Sequence, residues 1–348
     1  MPSAVDIFSG SGGVTQGLRR ARWKVLAACD NDDAVAATYI ANHPKTRFVK
    51  GDITEDATID ELAAKVGRKK VDLLIICAPC QPFSSQNRSR GADHREQLIV
   101  RALAAVERLN PTTVFFENVP LLASAAYRPI LDAVRSRLSE LGYSLSEPLV
   151  RDAANYGVPQ RRRRCIMFAA RSKAAVDAFV ANDRHTATKS VWQAIGDLPA
   201  LEAGQSDPSD ALHRARHHQP IAIERLRHIP ADGGSRSSLP AHLELACHVG
   251  KKSSFSDVYG RMGWSGQAPT LTTGCDDLTR GRFAHPEQHR AISLREAARL
   301  QSFPDDYAFK GRGKQIATQI GNAVPPDMIS AFDQAFRAAL KAQAAYEA

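Results

Sequence analysis

No apolar run in the 348-residue sequence is long enough to span a bilayer, and no stretch has the pattern of a secretory leader, so neither a membrane span nor export is expected. Cysteine is scarce. The six residues are scattered through apolar and loop contexts and do not form a disulfide framework, which fits a reducing cytoplasm. Cys77 and Cys80 make one C-x-x-C spacing, but no second pair exists to complete a zinc site. His213, His217 and His218 lack an accompanying ligand set, so they read as surface residues and no metal is expected. Internal repeats are absent, and so is the G-x-G-x-x-G spacing of a nicotinamide-dependent dehydrogenase. Negative charge is in deficit: 46 Lys and Arg against 37 Asp and Glu give +9, which favours a polyanionic partner.

What is present is an alternation of short apolar runs and amphipathic segments, the pattern of a doubly wound α/β fold. Residues 4–9 read as a first strand. The turn Gly10-Ser11-Gly12-Gly13 and a helix over 14–22 follow, a nucleotide-binding beginning in which glycine lets backbone approach a ligand. The second strand, 24–29, ends at Asp30, placed either to accept hydrogen bonds from ribose hydroxyls or, like Asp32, to cap the next helix, 33–41. After a short strand at 47–49, Asp52 suits either an adenine amino group or a turn.

Residues 71–76 form a buried strand, and the pattern breaks at Pro79 and Pro82. Cys80 therefore sits just past a strand's carboxyl end, where open α/β sheets place ligand sites and where nearby positive charge would favour a thiolate. A polar, glycine-containing loop and a helix over 93–109 come next. The strand 112–116 then delivers Glu117 to the same edge, as a candidate general acid or a mere salt-bridge partner. A helix over 127–141 and a strand over 144–150 precede Arg161 to Arg164, which enter the strand 165–170. Alternation puts Arg162 and Arg164 on one face, Arg161 and Arg163 on the other. From 187 to 277 the periodicity weakens, and Lys251, Lys252, Tyr259, Arg261 and Trp264 mix positive charge with aromatics, which suits nucleic-acid contact. Ser293 to Gln301 reads as a helix, and a proline-opened last helix runs over 327–344, its stripe of Met328, Ile329, Phe332, Phe336 and Leu340 packing on the first domain.

Taken together these stretches resemble the cytosine-C5 DNA methyltransferase family of bacterial or phage type. The resemblance is carried by Asp6-Ile7-Phe8-Ser9-Gly10-Ser11-Gly12-Gly13, Pro79-Cys80-Gln81, Glu117-Asn118-Val119, Gln160-Arg161-Arg162-Arg163-Arg164, the 293–301 segment and Gly321-Asn322-Ala323-Val324-Pro325. It implies a Rossmann-like, mostly parallel S-adenosylmethionine-dependent domain, 1–186 plus 318–348, and a smaller target-recognition domain, 187–317, with its variable part over 187–277. It implies Cys80 as nucleophile, Glu117 on the cytosine ring and amino group, and Arg162 and Arg164 orienting the base. For S-adenosyl-L-methionine (released as S-adenosyl-L-homocysteine) it implies Phe8, Ser9, Gly10, Ser11, Gly12, Gly13, Asp30, Asn31, Asp52, Ile53, Pro79, Leu98, Asn322 and Ala323. Asn31 departs from the apolar or aromatic residue often found at its position. Gln86 would fill the space of the flipped base, and Thr270, with Tyr259 and Arg261, would contact DNA.

The implied partner is double-stranded DNA, bound by a cytoplasmic, nucleoid-associated monomer, with a possible restriction endonuclease acting separately. Two alternatives stay open: a tRNA cytosine-C5 methyltransferase, whose Cys-Phe-Thr signature is absent, and a catalytically silent DNA-binding regulator. Amino-methylating enzymes are disfavoured because no Asn/Asp-Pro-Pro-Tyr/Phe run occurs.

Overall fold

The computed structural model describes residues 1–79, 98–245, 247 and 256–348. The chain divides into two compact units, one of Met1–Tyr156, Arg163–Thr186 and Val324–Ala348, the other of Gly157–Arg162 and Ala187–Ala323. Segments 157–162 and 318–323 thus group with the second unit, whereas the sequence pattern assigns them to the first.

The first unit is built on an eight-stranded sheet. Five parallel strands, β1 (Ser3–Ile7), β2 (Lys24–Asp30), β3 (Arg47–Lys50), β4 (Leu73–Ile76) and β5 (Thr113–Asn118), lie in the order β3-β2-β1-β4-β5. The order reverses direction at β1, so ligands are expected beyond the carboxyl ends of β1 and β4. Two short strands, β6 (Ser144–Leu145) and β7 (Leu149–Asp152), and a long one, β8 (Arg163–Ala170), complete the sheet; β8 runs antiparallel to β5, β6 and β7. The strand expected over 144–150 is broken because Pro148 has no N–H for the ladder.

Alternation along β5 explains the two-sided core. Val114 and Phe116 join one apolar cluster with Ile7, Leu74 and Ile76. Phe115 faces the other side, where it meets Phe179, Phe332 and Phe336 at ring-centroid distances of 5.3–6.2 Å. These rings come from α7 (Lys173–Ala181), the junction after α12 (Pro326–Ala331), and α13 (Asp333–Glu347). The single last helix expected from sequence is two helices, interrupted at Phe332, whose buried ring belongs to this cluster. The helix expected over 93–109 is likewise α4 (Leu98–Arg101) and α5 (Leu103–Leu109), with 93–97 outside the described residues.

Helix α1 (Gly13–Arg20) lies close against α12. A Cβ at Gly17 would sit 2.8 Å from Ile329 Cβ and against the Pro326 carbonyl oxygen. Arg20 pairs with Asp327, and the Trp23 indole donates to Asp333 at 2.6 Å.

The second unit has α-helices at Val191–Ile195, Pro220–His228, Leu294–Leu300 and Gly313–Asn322, of which only Leu294–Leu300 was expected from the sequence, and no named strand among the described residues. Ser293 and Glu296 form a capping box, and the buried Glu296 also takes both ends of the Arg290 guanidinium at 2.7 Å. His213 corrects its expected surface position: it is fully buried, between the Ser293 hydroxyl and the Pro199 carbonyl, each at 2.9 Å. No helix among the described residues is long and apolar enough to cross a membrane.

Gly17→Ala should raise helix propensity by about 1 kcal/mol yet lower net stability by about 1–3 kcal/mol through overpacking on α12. Urea unfolding of the full chain measures this; a stabilised variant would contradict the close α1–α12 fit.

Candidate active site

Strand register builds the site at the carboxyl edge of the first unit's sheet. Ile76 of β4 is level with Phe116 of β5, so the next residues out, Cys77 and Glu117, leave the edge side by side. The Asn118 amide then donates to the Ala78 carbonyl at 3.3 Å, tying the end of β5 to the segment that continues through Pro79 to Cys80. Cys80 itself, and Gln86, lie outside the described residues.

Glu117 is opposite Ile166 in the antiparallel β5–β8 pair. Arg164 precedes Ile166 by two residues and so shares its face, a diagonal neighbour of Glu117. Its Nε lies 2.8 Å from Glu117 Oε1, with both side chains nearly buried. That contact is an ion pair without hydrogen-bond alignment, and Oε1 has no other hydrogen-bond partner among the described residues. A buried carboxylate oxygen left in this way suits a polar group brought by a ligand.

Arg162 groups with the second unit. It is 3% exposed, and its guanidinium donates to the main-chain carbonyls of Leu271 at 3.3 Å and Gly321 at 3.1 Å. Nearby, the Thr270 hydroxyl donates to the Arg161 carbonyl at 2.7 Å, and Gln160 accepts from Leu271 N–H at 2.9 Å. Arg161 and Arg163 are exposed, as alternation requires.

The turn after β1 carries the cofactor candidates. Phe8, Gly10 and Gly12 all have positive φ, of 56°, 51° and 93°. Phe8 accepts a strained backbone that places Ser9 N–H on the Cys29 carbonyl at 3.0 Å. A Cβ at Gly10 would meet nothing within 4 Å among the described residues, so the turn opens on unfilled space. Asp30 accepts from the N–H groups of Gly10 at 2.8 Å and Asp32 at 3.0 Å, and burial raises its carboxyl above the usual range. Asp32, not Asp30, caps α2 (Asp33–Asn42). Asp52 Oδ1 closes a turn on Thr54. Asn31 and Pro79 are exposed, Leu98 is partly buried, and Ile53 and Ser11 are buried. In the second unit Asn322 is exposed and Ala323 buried.

A family model described as C-5 cytosine-specific DNA methylase matches residues 3–336. The chain belongs to that family. This DNA (cytosine-5) methyltransferase is 35% identical over 330 residues to a type II methylase, M.HgiDII, of Herpetosiphon aurantiacus, covering 93% of this chain and 91% of that one. It is 32% identical over 351 residues to the type II methyltransferase M.XorII of Xanthomonas oryzae, covering 93% and 82%. Its fold is similar to a candidate DNA modification methyltransferase from an E. coli prophage, with a TM-score of 0.75 at 23% identity, covering 98% of this chain and 100% of that one. Membership implies S-adenosylmethionine as methyl donor and DNA as substrate.

Two expected DNA contacts of the methyltransferase are corrected. Arg261 is 1% exposed, and its guanidinium donates to the carbonyls of Ile229, His285, Gln288 and Leu226 at 2.7–3.0 Å. Tyr259 is buried, with its hydroxyl accepting from Arg225 at 3.2 Å. Both side chains are committed to the unit's own main chain and core. Thr270 is exposed, and Lys251 and Lys252 lie outside the described residues.

Sequence reasoning gave no role to the residues beneath the glycine turn. Asp6, Thr15, Tyr39 and His43 are all buried there. The Thr15 hydroxyl donates to Asp6 at 2.8 Å, and burial pushes that carboxyl up to about 7. Polar residues inside otherwise apolar elements are the signal that could have found them.

Arg261→Met should lower the unfolding free energy by about 2 kcal/mol or more, because four carbonyls lose a charged donor. It should leave the salt dependence of DNA binding unchanged. Unaltered stability with a shallower salt slope would restore Arg261 as a phosphate contact.

Proposed function

We propose that this methyltransferase works through a covalent Cys80 adduct on a cytosine flipped out of duplex DNA. The observation that carries the reading is the buried Glu117 carboxylate, held by Arg164 at the sheet edge and keeping one oxygen without an aligned donor among the described residues. Cytosine C5 is a poor nucleophile. Attack of the Cys80 thiolate on C6 makes C5 enamine-like, and S-adenosylmethionine supplies the electrophilic methyl group that C5 takes. Glu117 bonds the ring N3 and amino group, stabilising the charge that develops as sulfur adds. Arg164 orients Glu117, holds the base carbonyl oxygen and favours the thiolate. Loss of the C5 proton then expels Cys80.

The donor is held by Phe8, the turn Ser9 to Gly13, Asp30, Asn31, Asp52, Ile53, Pro79, Leu98, Asn322 and Ala323, with Asp30 on the ribose. Arg162 takes a supporting role, since its guanidinium serves the carbonyls of Leu271 and Gly321. Thr270 contacts the DNA backbone, and Gln86 fills the vacated stack at an unstacking cost of a few kcal/mol. Residues 1–186 plus 318–348 make the catalytic part and 187–317 the target-reading part. The protein acts as a monomer, alongside a separate restriction endonuclease.

Purified protein with labelled donor should place 5-methylcytosine in duplex DNA and leave tRNA unlabelled. Glu117→Gln should slow transfer by about 10²–10⁴-fold while leaving S-adenosylhomocysteine binding intact. Label in tRNA alone, or a full rate in Glu117→Gln, would overturn the reading.

A further inference from the structure

A histidine with no part in the chemistry above lies directly beneath the glycine turn. His43 is the C-cap of α2, 1% exposed, with its ring 4.9 Å from Tyr39. Its two ring nitrogens face different partners. Nδ1 is 3.0 Å from an Arg19 guanidinium nitrogen, and Nε2 is 3.2 Å from the Gly12 carbonyl oxygen. Arginine can only donate and a carbonyl can only accept. Nδ1 is therefore the acceptor, the proton is on Nε2, and Nε2–H donates to Gly12. The arrangement requires a neutral ring. Burial, with the Arg19 charge second, pushes its pKa down to about 4, which agrees.

Gly12 is in a left-handed conformation at the N-cap of α1, and its own N–H donates to the Ser9 carbonyl at 2.9 Å. Its carbonyl accepts the first helical bond of α1, from Gln16 N–H at 2.9 Å, and takes His43 Nε2–H as a second donor. Arg19 reaches His43 from the last turn of α1 and also donates to the Asn42 carbonyl at 2.8 Å. One turn up the same helix, the Thr15 hydroxyl is 2.7 Å from the Tyr39 hydroxyl as well as bonded to Asp6. The end of α2 thus clasps both ends of α1 through polar contacts, buried at Thr15 and Gly12 and reaching the surface at Arg19.

We infer that His43 is a positioning residue for the methyl donor: its Nε2–H adds a side-chain bond to the Gly12 carbonyl beside the helical one from Gln16, and Arg19 favours the tautomer that makes this possible. The inference rests on the assignment of the glycine turn to donor binding. Rotation of the Gly12 peptide would turn N–H groups of the cradle away from the donor, so loss of the His43 bond should weaken donor binding and leave DNA binding alone.

The test compares His43→Phe, which keeps the ring shape without the donor, with His43→Gln, whose amide has both a donor and an acceptor. Calorimetry with S-adenosylhomocysteine should show about three- to tenfold weaker binding in His43→Phe, with recovery of most of the loss in His43→Gln. KM for the donor should rise in parallel, with kcat and KM for DNA unchanged. If His43→Phe does not fold, Arg19→Met, which frees the tautomer, should weaken binding in the same sense. Equal affinity in all variants, no rescue by Gln, or an equal rise in KM for DNA would overturn the inference while the donor reading stands. Wild-type protein that bound no S-adenosylhomocysteine would overturn the donor reading and the inference with it.

Discussion

The β5–β8 pairing is the constraint on which the site depends. An antiparallel strand beside a parallel sheet brings its own beginning to the carboxyl edge, where parallel strands bring their ends. Arg164 is the second residue of β8 and Glu117 the last but one of β5, and the register sets them on one face within ion-pair distance. A one-residue slip would turn Arg164 to the opposite face and leave a buried carboxylate without its cation. The apolar residues behind the pair hold that register: Phe115 on one side of the sheet and Phe116 on the other are both fully buried. The proposed chemistry uses a charged pair that the core, rather than the loops, positions.

The same edge organises the proposed donor end by a different device. Here the chain turns sharply after β1, with Phe8, Gly10 and Gly12 at positive φ. Such a turn has little core of its own, and its support comes from polar groups underneath: Asp30 on the Gly10 N–H and His43 on the Gly12 carbonyl. Buried polar contacts of this kind fix one backbone arrangement where apolar packing would tolerate several.

Much of this was legible in the sequence, because the features that signal it are local. The apolar runs of β1, β4 and β5, the glycine turn, and the alternation that separates Arg162 and Arg164 from Arg161 and Arg163 need no distant partner to be read. Where the reading failed, the deciding partner was far away in sequence. Arg261 looked like a DNA contact because basic and aromatic residues surround it, yet its acceptors are carbonyls up to 35 residues distant. Nor could the sequence show that Arg162 bonds the carbonyls of Leu271 and Gly321, 109 and 159 positions away. His43 was invisible for the same reason: Gly12, the residue it supports, is 31 positions earlier. The break at Phe332 reflects an aromatic cluster assembled from three separate elements.

Covalent catalysis at the edge that Glu117 and Arg164 define is tested most directly by trapping. Fluorine at C5 of the target cytosine cannot leave as a proton, so methyl transfer to such a base would strand the sulfur adduct. Duplex DNA carrying 5-fluorocytosine at the methylated position, incubated with the protein and S-adenosylmethionine, should give a denaturation-resistant protein–DNA complex, and Cys80→Ser should give none. Normal methylation of unmodified duplex with no trapped complex on the fluorinated one would contradict the covalent route.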